Sequence, residues 1–201
     1  MFSRRARGFS LIEMMVVVAL ILIVLSFSIM AIQPALKQGR LTQGYNRTLM
    51  ALRQARDISV AQRQVYFVTL NNGVQPNTIT ITQGSTGIVT ASYSLPPDVA
   101  FDAEPGLPNS PVAPPTTPDG FGTGGLAIDF DQGFLNAKNV IYFYPDGSAQ
   151  DVVQNVNNGV VYIARPGFID SSRAITLWGA TGRLRGWQAY KNGAKYYWRQ
   201  Q

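Results

Sequence analysis

The sequence contains neither cysteine nor histidine. Without histidine the chain has no Ser-His-Asp triad and no imidazole base. Without cysteine it has no thiolate nucleophile, disulfide, iron–sulfur cluster or Cys/His zinc site. Any enzyme activity would therefore depend on carboxylates or lysine. The absence of cysteine is compatible with an exported domain, but no disulfide would then stabilise its fold.

Charge is also absent from one long stretch near the amino terminus. Residues 14–32 (MMVVVALILIVLSFSIMAI) are 19 residues without a charge. At about 1.5 Å per residue, a helix of this length approaches the roughly 30 Å of a bilayer's hydrocarbon core. The segment is therefore predicted to be a transmembrane helix.

Three interpretations of this segment compete. A cleaved secretory signal would have the basic start that Arg4, Arg5 and Arg7 supply, but the apolar run is longer than the roughly 7–15 residues of such signals. A plain anchor explains the length but not Glu13, a carboxylate at the start of the apolar segment, where such residues usually have a partner and a function. The third interpretation is a leader that is removed from a helix that is kept.

Residues 4–16 (RRARGFSLIEMMV) favour the third interpretation, because they closely resemble the leader of type IV prepilins. In that family a peptidase cuts after the glycine that ends a basic leader, and the new first residue is N-methylated. The fifth residue of the product is glutamate. The resemblance implies cleavage between Gly8 and Phe9, methylation of Phe9, and a filament-assembly role for Glu13.

The new α-amine at Phe9 would lie one helical turn from Glu13, on the same face of the helix. This amine, or that of a neighbouring subunit, would compensate the carboxylate. The resemblance also implies a single-pass protein of the bacterial inner membrane with a periplasmic carboxy-terminal part. A prepilin peptidase and methyltransferase, other pilins or pseudopilins, and inner-membrane lipid are its implied partners.

The remaining chain is predicted to be a helix followed by strands. Leu41, Tyr45, Leu49, Leu52 and Ile58 recur at roughly helical spacing, although Pro34, Gly39 and Gly44 favour a kink or a locally melted stretch. Short β-branched and aromatic runs separated by turn residues predict antiparallel strands at 65–70, 78–82, 88–95, 140–144, 160–164 and 174–178.

The predicted fold is therefore α+β, with a long amino-terminal helix packed on an antiparallel β-sheet, pilin-like head. The organisation predicted is a leader at 1–8, a helix at 9–63 that includes the membrane span and an amphipathic stem, and a β-rich head at 64–201. Residues 96–125 hold eight of the twelve prolines, and we call them the insertion. They are predicted to form an irregular surface loop outside the core.

Two further segments are similar to the GspH/FimT group of minor pilins and pseudopilins. These are residues 49–57 (LMALRQARD) ahead of a strand, and residues 140–148 (VIYFYPDGS). The closing residues 175–177 and 182–185 (GRLR) resemble the carboxy-terminal strands of that group. The resemblance implies a structural subunit of a type IV pilus or of a type II secretion filament, which is not an enzyme and has no cofactor.

Charge is distributed unevenly along the chain. The total of +6 falls to +3 once the leader is removed, and an acidic segment at 64–164 (−7) lies between a basic segment at 37–63 (+5) and a basic one at 165–201 (+6). We call residues 165–201 the basic tail. Its cations alternate with aromatic residues, a pattern that suits phosphates and stacked bases. The predicted DNA-binding residues are Arg183, Arg185, Lys191, Lys195 and Arg199.

Two other readings of the basic tail stay open. Leu184, Trp187 and Tyr190 suit ordinary strand positions, with the cations as solvated charges that protect an edge. Alternatively, the cations contact the acidic segment of a neighbouring subunit. A DNA receptor would need the cations on one exposed face.

Carboxylates are the remaining catalytic option. Asp129, Asp131 and Asp146 form the visible cluster, and Asp129 and Asp131 would share one face of a strand, as a calcium site requires. However, Asp146 lies in a Pro-Asp-Gly turn that needs no metal, and no EF-hand spacing occurs. We therefore predict no metal site, and a membrane-anchored carboxylate enzyme is the least favoured function.

Overall fold

A computed structural model describes residues 10–130 and 139–201, without the side chains of residues 27–31. The chain divides between residues 38 and 39 into two compact units. The predicted α+β class is confirmed, with one long helix followed by antiparallel strands.

The helix α1 spans Leu11–Gln62. It remains helical through Pro34, Gly39 and Gly44, so the locally melted stretch is not found in this described segment. Within the described residues, no helix combines the length and the apolarity needed to cross a membrane. Part of the predicted span 14–32, residues 27–31, lies outside the described side chains.

The second half of α1, residues 39–62, packs against the strands through one face. Its buried positions recur at intervals of three and four residues, which places them on one side of a helix. They include Leu41, Tyr45, Thr48, Leu52, Ala55 and Ser59, and Gly44 and Ala51 beside them are buried as well. Leu49 and Ile58, which the spacing also selects, are only partly buried beside this face. Thr48 can be buried among these apolar side chains because its hydroxyl donates to the Gly44 carbonyl at 3.0 Å.

Eleven strands follow within the described residues, and they form two antiparallel sheets. The first sheet has the order β3-β2-β1-β6-β7, and the second has the order β11-β10-β9-β8-β4, with β5 also paired to β8. The strands are β1 (Tyr66–Asn71), β2 (Thr78–Gln83), β3 (Val89–Ser94), β4 (Ala100–Phe101), β5 (Ile128–Asp129), β6 (Val140–Phe143), β7 (Ala149–Gln150), β8 (Gly159–Arg165), β9 (Phe168–Trp178), β10 (Arg183–Asn192) and β11 (Lys195–Gln200). Each of the six predicted strands is present.

Both sheets and the second half of α1 share one hydrophobic core. Val68 and Ile141 represent the first sheet in it, Val161 and Ile175 the second, and Leu52 the helix, and each of these is at most 1% exposed. We call the face of the second sheet that meets this core its inner face. The outer face carries a smaller cluster around Tyr162 and Ala174.

The contact between α1 and the second sheet is especially close at Tyr45. The Arg173 guanidinium lies over the Tyr45 ring at 5.2 Å and donates to Thr42 Oγ1 at 3.2 Å. On β10, a side chain at Gly186 would collide with the Tyr45 hydroxyl. Glycine is therefore required where the helix approaches this strand.

The insertion belongs partly to the core, so the prediction that it lies outside the core is wrong. Val99 and Phe101 are 0% and 4% exposed and belong to the main core, with Phe101 in β4. Phe121 packs on the outer face of the second sheet, with its ring 4.9 Å from that of Trp178. Phe121 thereby covers apolar residues of the outer face that would otherwise be exposed, whereas Val99 and Phe101 fill the main core.

Candidate functional site

The amino-terminal candidate site begins at the edge of the described residues. Gly8 and Phe9, the predicted cleavage and methylation positions, lie outside them. Ser10 precedes the first helical residue, and its Oγ accepts from the Glu13 backbone N–H at 3.2 Å. Glu13 Oε2 in turn accepts from the Ser10 backbone N–H at 3.5 Å. This reciprocal arrangement is a capping box, which satisfies free donors at the start of a helix.

Glu13 therefore has a local role that the sequence analysis missed. The Ser-x-x-Glu spacing directly before an apolar run is a signature of a helix start, and it could have been recognised. The side chain is nevertheless exposed, so the carboxylate remains accessible to a further partner.

The five predicted DNA-binding cations do not lie on one face. Strands β10 and β11 pair with Trp187 opposite Gln200 and Lys191 opposite Tyr196. Trp187 packs on the outer-face cluster. Because side chains alternate between the faces of a sheet, Arg183, Arg185 and Lys191, each an even number of positions from Trp187, also belong to the outer face. Lys195 and Arg199 belong to the inner face by the same alternation.

Arg185 is held by the insertion. Its Nη1 lies 2.8 Å from Asp119 Oδ1, and its guanidinium lies 5.3 Å from the Trp178 ring centre. The Asp119 side chain is 6% exposed and also accepts from Thr176 Oγ1 at 2.5 Å and from the Trp178 indole at 3.2 Å. Arg185 thus fastens the insertion to the outer face rather than facing solvent as a free cation.

The other four predicted cations, Arg183, Lys191, Lys195 and Arg199, are exposed. Arg183 lines a groove with Arg53, Arg56 and Asp57, between α1 and the turn before β10. In this groove, Arg56 donates to the Thr181 carbonyl at 3.1 Å and lies 3.8 Å from Asp57. The groove therefore presents Arg53 and Arg183 as its exposed cations.

On the inner face, cations and aromatic rings are interleaved at the exposed end of the hairpin. Arg199 lies over the Tyr190 ring at 5.5 Å, and the rings of Tyr190 and Tyr197 are 5.8 Å apart. Lys195 is exposed in the same hairpin. On the outer face, Lys191 lies over Tyr196 at 5.9 Å.

The acidic segment presents little acid to a partner. Of the acids that the structure describes between residues 64 and 164, Glu104, Asp129 and Asp151 are at most 5% exposed. Asp98 is ion-paired with Arg40 and Arg165, at 3.6 and 3.7 Å. Asp119 is paired with Arg185. Of the other acids that the structure describes in this segment, Asp102 is partly exposed and Asp146 is exposed, so these described residues offer the tail cations few acids on a neighbouring copy.

The predicted carboxylate cluster is not brought together. Asp131 lies outside the described residues, and Asp129 Oδ2 accepts from the Thr123 N–H at 2.7 Å and hydroxyl at 2.5 Å. Asp146 accepts from the backbone N–H and hydroxyl of Ser148, at 2.9 and 2.6 Å, and these hydrogen bonds lower its pKa. Across the described part of the chain, no group of three or more acids lies close enough to hold a metal ion.

Comparison with known proteins gives the following. Residues 3–29 match the model of the prokaryotic N-terminal methylation motif. A crystal structure of the type IV minor pilin FimU of Pseudomonas aeruginosa strain PAO1 is similar, with 13% sequence identity and a TM-score of 0.47; the similarity covers 80% of this chain and 94% of that one. No curated protein matched.

The matched residues include Gly8, Phe9, Glu13 and the first part of α1, and two antiparallel sheets follow this helix. A chain organised in this way is a structural subunit rather than an enzyme. The protein is therefore type IV pilin-like.

Proposed function

We propose that this protein is a minor subunit of a type IV pilus or of a type II secretion filament, of the GspH/FimT kind. Residues 1–8 are removed by a prepilin peptidase, and Phe9 becomes the methylated amino terminus. Residues 14–32 anchor the subunit in the inner membrane before assembly, and the head at 64–201 lies in the periplasm. The observation that carries the proposal is the methylation motif over residues 3–29.

The exposure of the first part of α1 supports the anchoring and assembly steps. The large apolar side chains between residues 11 and 25 are all between 43% and 79% exposed. Such a surface requires an apolar environment, which lipid supplies before assembly and neighbouring helices supply within a filament.

Glu13 is proposed to position the subunit as it enters the filament, by pairing with an α-amine. The capping box gives an experiment that separates this role from simple helix capping. Glu13→Gln keeps a side chain that can cap, but it removes the charge. Ser10→Ala removes the reciprocal cap and keeps the charge.

We expect Glu13→Gln to be processed and inserted normally but to be missing from sheared filaments, as measured by immunoblotting. Ser10→Ala should enter filaments. If the two variants behave in the opposite way, Glu13 serves the helix start and not assembly.

A DNA-binding minor pilin is the second candidate function. The observation in its favour is that Arg53 and Arg183 are exposed in one groove, while the acids described between residues 64 and 164 are mostly buried or paired. A polyanion would meet three arginines in this groove against one carboxylate, that of Asp57, which lies 3.8 Å from Arg56. Of the predicted residues, Lys195 and Arg199 would belong to a separate contact on the hairpin, and Arg185 would not contact DNA directly.

A further inference from the structure

An aromatic groove lies between the insertion and the β10–β11 hairpin. One wall is formed by Trp187, Tyr196 and Trp198, and the other by Pro108 and by the segment from Thr116 to Asp119. Both tryptophan rings are partly exposed, so flat apolar surface remains accessible. Sites that bind small molecules or peptide segments have this composition, with aromatic walls and few polar groups.

The groove also has an unused polar group. Thr117 is 5% exposed, and its hydroxyl has no hydrogen-bond partner among the described residues. A buried hydroxyl without a partner costs free energy, so it favours a ligand that can hydrogen-bond with it. The carbonyl of an incoming backbone would supply the acceptor.

The groove already holds proline-rich chain. The Trp198 indole donates to the carbonyl of Pro108 at 2.8 Å, and Pro118 lies in the opposite wall. Aromatic grooves with such donors recognise proline-rich segments, because proline rings lie flat on indole and phenol rings. The chemistry of the groove therefore selects a proline-rich occupant.

A second proline-rich element projects from the same insertion. Residues 111–115 (PVAPP), which we call the tip, are exposed, and Val112 is 72% exposed. The base of the tip is closed, because the Thr116 N–H donates to the Ser110 carbonyl and the Ser110 N–H donates to Thr116 Oγ1, both at 2.9 Å. The tip is thereby held as a preformed apolar projection.

We propose that the tip of one copy binds in the aromatic groove of a second copy of this chain. Residues 105–118 carry no charge, and the acid at the groove, Asp119, is paired with Arg185. Docking therefore brings no charge from the tip and no unpaired acid from the groove, and Lys195 at the groove's edge is exposed and can keep its ammonium group in water. Because Thr116 directly follows the tip and also lines the groove, a two-fold arrangement brings each tip to the partner's groove at once.

Cysteine cross-linking tests this contact without background, because the sequence has no cysteine. Full-length Val112→Cys and Lys195→Cys copies are mixed in detergent and oxidised. Lys195 alternates toward the inner face, but it is the first residue of β11 and lines the groove at the exposed end of the hairpin. We expect a mixed disulfide dimer in large excess over that formed when Ile88→Cys, an exposed position on the first sheet's side, replaces Val112→Cys.

A matched variant decides whether the proline-rich tip is what binds. Adding Pro114→Ser to the Val112→Cys copy alters only an exposed tip residue, and it should abolish the mixed dimer while leaving the thermal melting curve unchanged. A mixed dimer no more abundant than the Ile88→Cys control, or one unaffected by Pro114→Ser, overturns the proposal. The contact does not involve Glu13, so either result leaves the filament-assembly proposal to its own test.

Discussion

Asp119 and Arg185 lie 66 positions apart in the chain and form a 2.8 Å ion pair on the outer face of the second sheet. The carboxylate also receives hydrogen bonds from Thr176 and Trp178. This single acid fixes the proline-rich insertion on the carboxy-terminal strands. Asp119 thereby forms an ion pair with one of the two arginines of the Gly-Arg-x-Arg segment at residues 182–185.

The first prediction concerns this pair. Asp119→Asn should lower the free energy of unfolding by about 2 kcal/mol, because it weakens charged hydrogen bonds and leaves a largely covered guanidinium unpaired. Asp102→Asn, in the same insertion, is the control and should change it by less than about 0.5 kcal/mol. Chemical denaturation of the full chain measures both. Equal effects from the two variants would show that the pair does not fasten the insertion.

The second prediction concerns the contact between α1 and β10. Gly186→Ala should destabilise the fold by about 1–3 kcal/mol, because the new methyl group collides with the Tyr45 hydroxyl. Tyr45→Phe removes that hydroxyl and should recover part of the stability; recovery would stay partial, since the methyl group would still lie 3.0 Å from the ring carbon Cζ. Thermal melting of both single variants and the double variant tests the coupling. If the two substitutions changed the free energy of unfolding additively, the Tyr45 hydroxyl would not be the cause of the loss at Gly186.

The third prediction is a pH dependence at Asp146. The hydrogen bonds from Ser148 lower its pKa in the folded state, below the ordinary value of 3.8. The stabilisation is therefore present above the unfolded pKa and is lost as the pH falls through the lowered folded value. Asp146→Ala should be less stable than the wild type near neutral pH, with the difference shrinking below about pH 4. A difference that does not change with pH would contradict this account.

The fourth prediction separates the two cationic surfaces in DNA binding. Arg53→Ala with Arg183→Ala, and Lys195→Ala with Arg199→Ala, each remove two charges from the full chain. If the groove at α1 is where DNA binds, the first pair should weaken binding and reduce the salt slope by about 1 for each phosphate that is no longer neutralised. The second pair should have the smaller effect. Absence of binding at low salt would eliminate the DNA-binding candidate.

Much of the fold could be predicted from the sequence because its strands are locally encoded. Alternating β-branched residues, as in the TITIT run of β2, predict strands wherever turn residues bound them. The two-residue strands β4, β5 and β7 give no such signal. The start of β10 is expected from the resemblance of residues 182–185 to carboxy-terminal strands. The rest of β10 and β11 is only one reading of the basic tail, because cations alternating with aromatic residues suit both a binding surface and an edge hairpin.

The details of the candidate site depend on distant contacts, which sequence patterns do not carry. Neither the pairing of Arg185 with Asp119 nor the burial of Val99 and Phe101 follows from local composition, since each requires a face of a sheet to be covered. Proline content correctly predicted irregular backbone in the insertion, but it did not predict burial. The Ser10–Glu13 capping box, in contrast, was present in the sequence as a spacing of three.

Intact-mass and peptide mass spectrometry of the protein extracted from its native membrane tests the central claim most directly. The account predicts a chain that begins at Phe9, carries one methyl group on its α-amine, and lacks residues 1–8. Gly8→Ala is the matched variant, and it should accumulate as the uncut chain. A wild-type chain that retains residues 1–8, or that begins elsewhere, would contradict the assignment of this protein as a processed filament subunit.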